Sequence, residues 1–293
     1  MNPTLQKLGF DENARVVILH ADDIGMCQAS VEAYADLLEA GIMSSAATMV
    51  PCPWFPAAAD FFRAHQTYPR FDVGVHLTLN SEWKNFRWSA LSTRDPASGL
   101  LDADGYFHSL AAPTHEFANP DAVERELTAQ VERALAAGFG VTHMDSHMLA
   151  LYHPRLLPAY IRVAQKFCLP AFLTRPRTPL TEGMPEEIET LLHEAQARGM
   201  ALFDHFDALA LDQHENRLQE ARRALNALPA GLSALVFHPC RDSAEVRVMA
   251  PDWQCRVADY ELFLNEDFRQ MIFDAGVNVI GYRLLRNTMR QGN

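Results

Sequence analysis

The chain has 293 residues, a formal net charge of −12, 48% apolar and 21% charged residues, enough length for a large core or a complete α/β barrel. The acidic balance excludes nucleic acid and anionic membrane as main partners, since both require a basic face. No run approaches the roughly 20 apolar residues of a membrane span, residues 1–10 lack a signal-peptide core, and the five cysteines form no CxxC pair, so a soluble cytoplasmic protein with reduced thiols is expected.

Short β-prone runs alternate with amphipathic stretches along the sequence. Strands are expected over 16–20, 46–50, 72–77, 141–144, 171–174, 201–203, 233–238 and 277–282. Helices are expected over 28–40, 56–65, 121–137, 154–166, 185–198, 213–227 and 259–274, several ending at a glycine (Gly41, Gly138, Gly199, Gly276) as helix C-termini do. Regular β-then-α alternation implies a parallel sheet with crossover helices. Seven or eight such units favour a closed or nearly closed (β/α) barrel, here a single domain spanning 1–293. The stretch 81–119 breaks the rhythm: turn formers (Asp95-Pro96, Ser98-Gly99, Asp104-Gly105) lie beside Trp83, Phe86, Trp88, Tyr106 and Phe107. It reads as an irregular insertion, a lid or binding loop starting at the rim of a site.

Polar residues gather where the apolar runs stop. Asp22 and Asp23 follow the first strand, His76 ends the third, and His143, Asp145 and His147 follow the fourth; His238 closes a later one. Active sites of parallel α/β proteins lie at these C-terminal strand ends. Carboxylates and imidazoles together bind a hard or borderline divalent metal. Of the adjacent aspartates, one can bind metal while the other handles protons, although on an extended chain they cannot point the same way; capping of the following helix is the structural alternative. His147 is the favoured ligand of its cluster, with Asp145 placed to orient an imidazole. His76 alone would read as a core residue, and the neighbouring clusters make it a candidate ligand. His238 is a general acid or a substrate contact, and His20 and His143 lie next to the site. Arg175 ends a strand and is expected to pair with a site carboxylate. Arg256, with Asp259 and Glu261, is expected to do the same.

Taken in order, His-Ala-Asp-Asp-Ile-Gly (20–25), Gly-Val-His-Leu (74–77), Thr-His-Met-Asp-Ser-His (142–147) and Phe-His-Pro-Cys (237–240) resemble the YdjC-like carbohydrate deacetylases. The likeness extends to Gly41-Ile42-Met43-Ser44-Ser45, to Arg175 and to 256–261. It implies a barrel similar to that of polysaccharide deacetylases and one divalent metal held by Asp23, His76 and His147. It also implies Asp22 as the base, an N-acetylated sugar such as a chitooligosaccharide as substrate, and a homodimer. The family commonly reads Asp-x-His-x-His, and Leu149 stands at the second histidine.

The expected chemistry is amide hydrolysis by metal-activated water, with Asp22 accepting a proton and His238 donating one to the leaving amine. Oxygen and nitrogen ligands admit magnesium, zinc, manganese or cobalt. Trp83, Trp88 and Phe107 would offer flat faces to a sugar. The alternatives are a non-haem iron oxygenase with the same two-histidine, one-carboxylate set, or a non-catalytic sugar-binding barrel.

Overall fold

The sheet is built outward from its longest strand, β1 (Arg15–Ile24), in a computed structural model that describes residues 2–291. In chain order follow β2 (Ser45–Thr48), β3 (Val73–Leu77), β4 (Met144–Ser146), β5 (His205–Ala208), β6 (Gly231–Phe237) and β7 (Asn278–Val279). Every strand pair is parallel, in the order β4-β3-β2-β1-β6-β5, and β7 pairs with the first half of β1. The two outer strands meet through 171–174: Ala171 bridges Met144 and Thr174 bridges Phe203. The result is a (β/α) barrel closed on one side by single bridges instead of a ladder. Its parallel strands speak against the antiparallel barrel on which the oxygenase alternative usually sits.

The strands expected at 171–174 and 201–203 therefore exist only as bridges, and β4 begins where its expected strand was to end. The helix expected over 259–274 is two, Trp253–Leu264 and Glu266–Asp274. Asn265 separates them, because its side chain accepts the backbone N–H of Asp267 and starts the second.

Side-chain alternation divides the sheet into two faces. Val17, Leu19, Ala21, Val73, Val75, Leu77, Leu235 and Phe237 pack outward against helices such as Gln28–Ala40 and Pro120–Ala136. Val16, Ile18, Leu232 and Ala234 face inward with Phe172, Phe203 and Tyr282. Continuing the inward set toward the strand ends gives His20 and Asp22 on β1, His76 on β3, Asp145 on β4 with His147 just past its end, and His238 after β6. One period of two thus lays an apolar floor and a polar rim inside the same barrel. At Gly74 a Cβ would come within 2.5 Å of the His143 ring, so the absence of a side chain there lets His143 into the interior.

The 81–119 segment buries three of its aromatics instead of offering them to a substrate, while Tyr106 stays exposed. Trp83, Trp88 and Phe107 are 4%, 3% and 0% exposed, and the two indoles meet edge to face at 5.3 Å. The Trp88 indole N–H donates to the Asn80 carbonyl at 2.7 Å. The buried Glu126 carboxylate, from helix Pro120–Ala136, accepts the backbone N–H groups of Leu91 and Ser92 at 3.0 and 2.8 Å. With its backbone held this way, the segment folds its rings into the core although they follow no helical or strand period. Among the described residues, no helix is long and apolar enough to cross a membrane.

Candidate metal centre

The two adjacent aspartates reach one site through a backbone irregularity. The register between β1 and β2 shifts between Ala21 and Ile24, and Asp23 takes φ 63°. A left-handed residue in a strand is costly and occurs where a bulge re-aims a side chain. Asp22 keeps the inward direction of the alternation, and the turn at Asp23 swings the next carboxylate back toward the histidines.

Asp23 Oδ1 lies 3.2 Å from His76 Nε2 and 3.1 Å from His147 Nδ1, and the two nitrogens are 3.2 Å apart. The far sides of both rings are engaged: His76 Nδ1 contacts Asp145 Oδ1 at 2.7 Å, and His147 Nε2 contacts Glu82 Oε2 at 3.0 Å. Since each carboxylate can only accept, those ring nitrogens carry protons, and loss of the second ring proton on metal binding would leave neutral imidazoles. The other nitrogens then present lone pairs to the carboxylate oxygen Asp23 Oδ1, which is buried with no hydrogen-bond partner. Three such groups facing one another repel unless a proton or a metal cation sits among them. Tetrahedral coordination at about 2.0–2.1 Å separates ligand atoms by roughly 3.3 Å, close to the spacing found. The residues fit a divalent cation, with Asp145 and Glu82 fixing the imidazoles from behind.

Two other groupings of buried acids and histidines overlap this one, His20–His143–Asp145 and Asp22–His76–Asp145. Their close contacts pair a histidine with a carboxylate, as at His20 Nε2, 2.7 Å from Asp145 Oδ2 and 3.1 Å from Asp22 Oδ1. These are hydrogen-bonded relays and need no metal.

Charge balances around the cluster. Burial alone would raise the Asp23 pKa, but Arg256 and then His147 outweigh it and hold the carboxyl well below the usual range. Arg256 is itself buried, donating from Nη1 to Asp23 Oδ2 at 2.7 Å and from Nε to Asp252 Oδ1 at 3.0 Å, with its guanidinium 5.3 Å above the Trp83 ring. One oxygen of Asp23 is thereby committed to arginine and the other left for the histidines. Burial opposes charge on His147 and His20, yet Glu82 and Asp23 lift the first to about 9, and Asp145 and Asp22 the second to about 9, so that a cation entering the trio would displace a proton from His147. For His238 burial dominates and lowers the pKa. That ring faces Asp22 Oδ2 at 3.9 Å, and its backbone N–H donates to Asp259 Oδ2 at 2.8 Å.

Not every expected residue joins the site. Arg175 pairs with Asp204 at 3.1 Å, no site carboxylate, because its backbone N–H is bonded to Phe203 beside that acid. Glu261 is exposed, and Asp259 is held by Arg217 at 2.6 Å. His143 stacks on Tyr282 at 3.8 Å between ring centroids and meets His20 edge-on, so it underlies the relay. Trp83, Trp88 and Phe107 lie in the core behind the site instead of facing a substrate. Glu82 went unrecognised in the sequence; its signal was a single acid at the head of the segment that follows His76.

A model described as YdjC-like protein matches residues 16–274. The chain belongs to this family. A carbohydrate deacetylase of Thermus thermophilus is 30% identical over 97% of this chain and 98% of its own length. One of Thermoanaerobacter pseudethanolicus is 24% identical over 93% and 100%. In fold, the chain is similar to a crystal structure from Enterococcus faecalis, titled a putative cellobiose-phosphate cleavage protein, with a TM-score of 0.76 at 21% identity, over 93% of this chain and 99% of that one. The family match and the barrel agree on architecture, and the matched span contains every polar residue of the rim.

Proposed function

We propose that the protein is a metal-dependent carbohydrate deacetylase that hydrolyses the amide of an N-acetylated sugar or oligosaccharide. The observation that carries this reading is the convergence of Asp23 Oδ1, His76 Nε2 and His147 Nδ1 beside a further carboxylate, Asp22, that this trio leaves free. The carbohydrate deacetylase relatives support the substrate class. A divalent cation held by the trio, magnesium or zinc with manganese or cobalt as options, would polarise the acetyl carbonyl and acidify a water.

The remaining steps fall to side chains. Asp22 takes the proton of the attacking water; it is half-buried at the rim, and the His20–Asp145 pair fixes its orientation. His238 gives a proton to the sugar nitrogen as the C–N bond breaks. Cytoplasmic residence and a homodimer belong to the same reading, and the five free cysteines accord with the first. Elemental analysis of untreated protein, followed by an acetate-release screen over N-acetylated sugars, tests the proposal. Metal-free protein that releases acetate at full rate would refute it.

A further inference from the structure

Behind Asp22 and His238 the barrel interior is hollow. The cavity measures about 360 Å³, roughly a dozen water-sized volumes at about 30 Å³ each. An acetyl group, with three heavy atoms, fills a small part of it. Leu149, Phe172, Phe206, Ala208, Ala234 and Val236 form its walls, and Tyr282 lies among its lining residues. Its polar groups at the rim are His20, Asp22, Asp145, Ser146 and His238, and the half-exposed Met148 stands at its mouth. Sugar hydroxyls placed against the apolar walls would lose water and find no partner. Hydrocarbon placed there would gain by leaving water.

We infer that this cavity binds the acyl chain of the substrate amide, and that the enzyme removes N-acyl groups longer than acetyl. The inference rests on the amide-hydrolase reading above and extends its acyl group beyond acetyl. An acyl group is the end of its molecule, so it can enter a pocket within the barrel while the sugar, and any chain attached to it, stays outside. Ala208 and Ala234 set the width, because side chains any larger on these inward strand positions would fill the space. Leu149 closes one wall from a left-handed backbone, φ 51°. The reaction is unchanged in kind. Water oxygen bonds to the carbonyl carbon, the C–N bond breaks, and the nitrogen takes a proton, leaving a fatty carboxylate and an amino sugar.

The test compares N-acetyl-, N-butanoyl- and N-hexanoylglucosamine on the full chain loaded with zinc or magnesium. From acetyl to butanoyl, kcat/KM should rise about fourfold per methylene, the transfer value of a buried CH₂. In Ala234→Phe the butanoyl-to-acetyl ratio should fall at least tenfold, and Leu149→Trp serves if that variant does not fold. Competition by hexanamide against acetamide, read by calorimetry, gives a reading independent of turnover, and hexanamide should bind at least tenfold tighter. Cleavage of the acetyl sugar with equal or lower rates for longer chains overturns this inference alone. No cleavage of any of the three overturns the hydrolase reading with it. A gain confined to octyl N-acetylglucosaminide would move the cavity from the acyl chain to the aglycone and also overturn it.

Discussion

Glu82 Oε2 stands 3.0 Å from Nε2 of His147, so the irregular segment after β3 contributes to the candidate metal centre with a carboxylate, behind the imidazole, and not with its aromatics. Carboxylates in this position fix the tautomer and raise the basicity of the ring they hold. Glu82→Gln should keep the fold and weaken metal affinity about 10–100-fold. Competition with a calibrated chelator reads this directly, and unchanged affinity would remove Glu82 from the site.

The trio leaves no spare ligand. His76→Ala, Asp23→Ala and His147→Ala should each lose most bound metal, measured by elemental analysis after gel filtration. Full occupancy in His76→Ala would show the assignment to be wrong. Asp22→Asn should retain the metal while turnover drops by about 10²–10⁴, the usual worth of a general base. Metal loss in that variant would make Asp22 the ligand and Asp23 the proton acceptor.

A cation that binds only the folded chain stabilises it by mass action, about 2.7 kcal/mol at a hundredfold excess over Kd. Adding zinc or magnesium should therefore raise the melting temperature of chelator-stripped protein. The shift should vanish in Asp23→Ala, and a shift that survives there would locate the binding elsewhere.

Trp88 is a core residue. Trp88→Ala should cost about 3–5 kcal/mol, the range for large aromatic truncations, as read by chemical denaturation. A stability loss below about 1 kcal/mol with a raised KM would return this ring to the substrate.

Asp259 joins a buried arginine to the backbone that carries His238. Asp259→Ala leaves the buried Arg217 with Glu220 as its remaining carboxylate, so the loss should stay below the cost of a fully broken buried pair, about 3–5 kcal/mol, and it frees the His238 amide. Turnover should fall more than substrate affinity. A variant as stable as the parent would mean that Glu220 alone balances Arg217.

Most of the architecture follows from the period of two. Inward positions 16, 18, 20 and 22 on β1, and 143, 145 and 147 around β4, can be counted along the sequence, so the strand-end cluster was legible. The bulge at Asp23 was not, because nothing in Ala-Asp-Asp-Ile announces a left-handed residue. Trp83 and Trp88 misled for a related reason: segments without a period are buried by tertiary anchors such as Glu126, which lies a full helix away. The strand expected at 171–174 has the right residues, but its neighbours meet it at one bridge each.

The turn at Asp23 has a consequence for how the two acidic roles can vary. Ligand and proton acceptor, on the proposed assignment, are joined by a single peptide unit, and their separation is set by covalent geometry instead of packing between elements. A shift of β1 carries both together, whereas a shift of β3 or β4 moves the histidines away from both. The centre therefore behaves as two bodies, an acidic hinge point and an imidazole pair, and substitutions distant from it should be felt through the gap between these bodies.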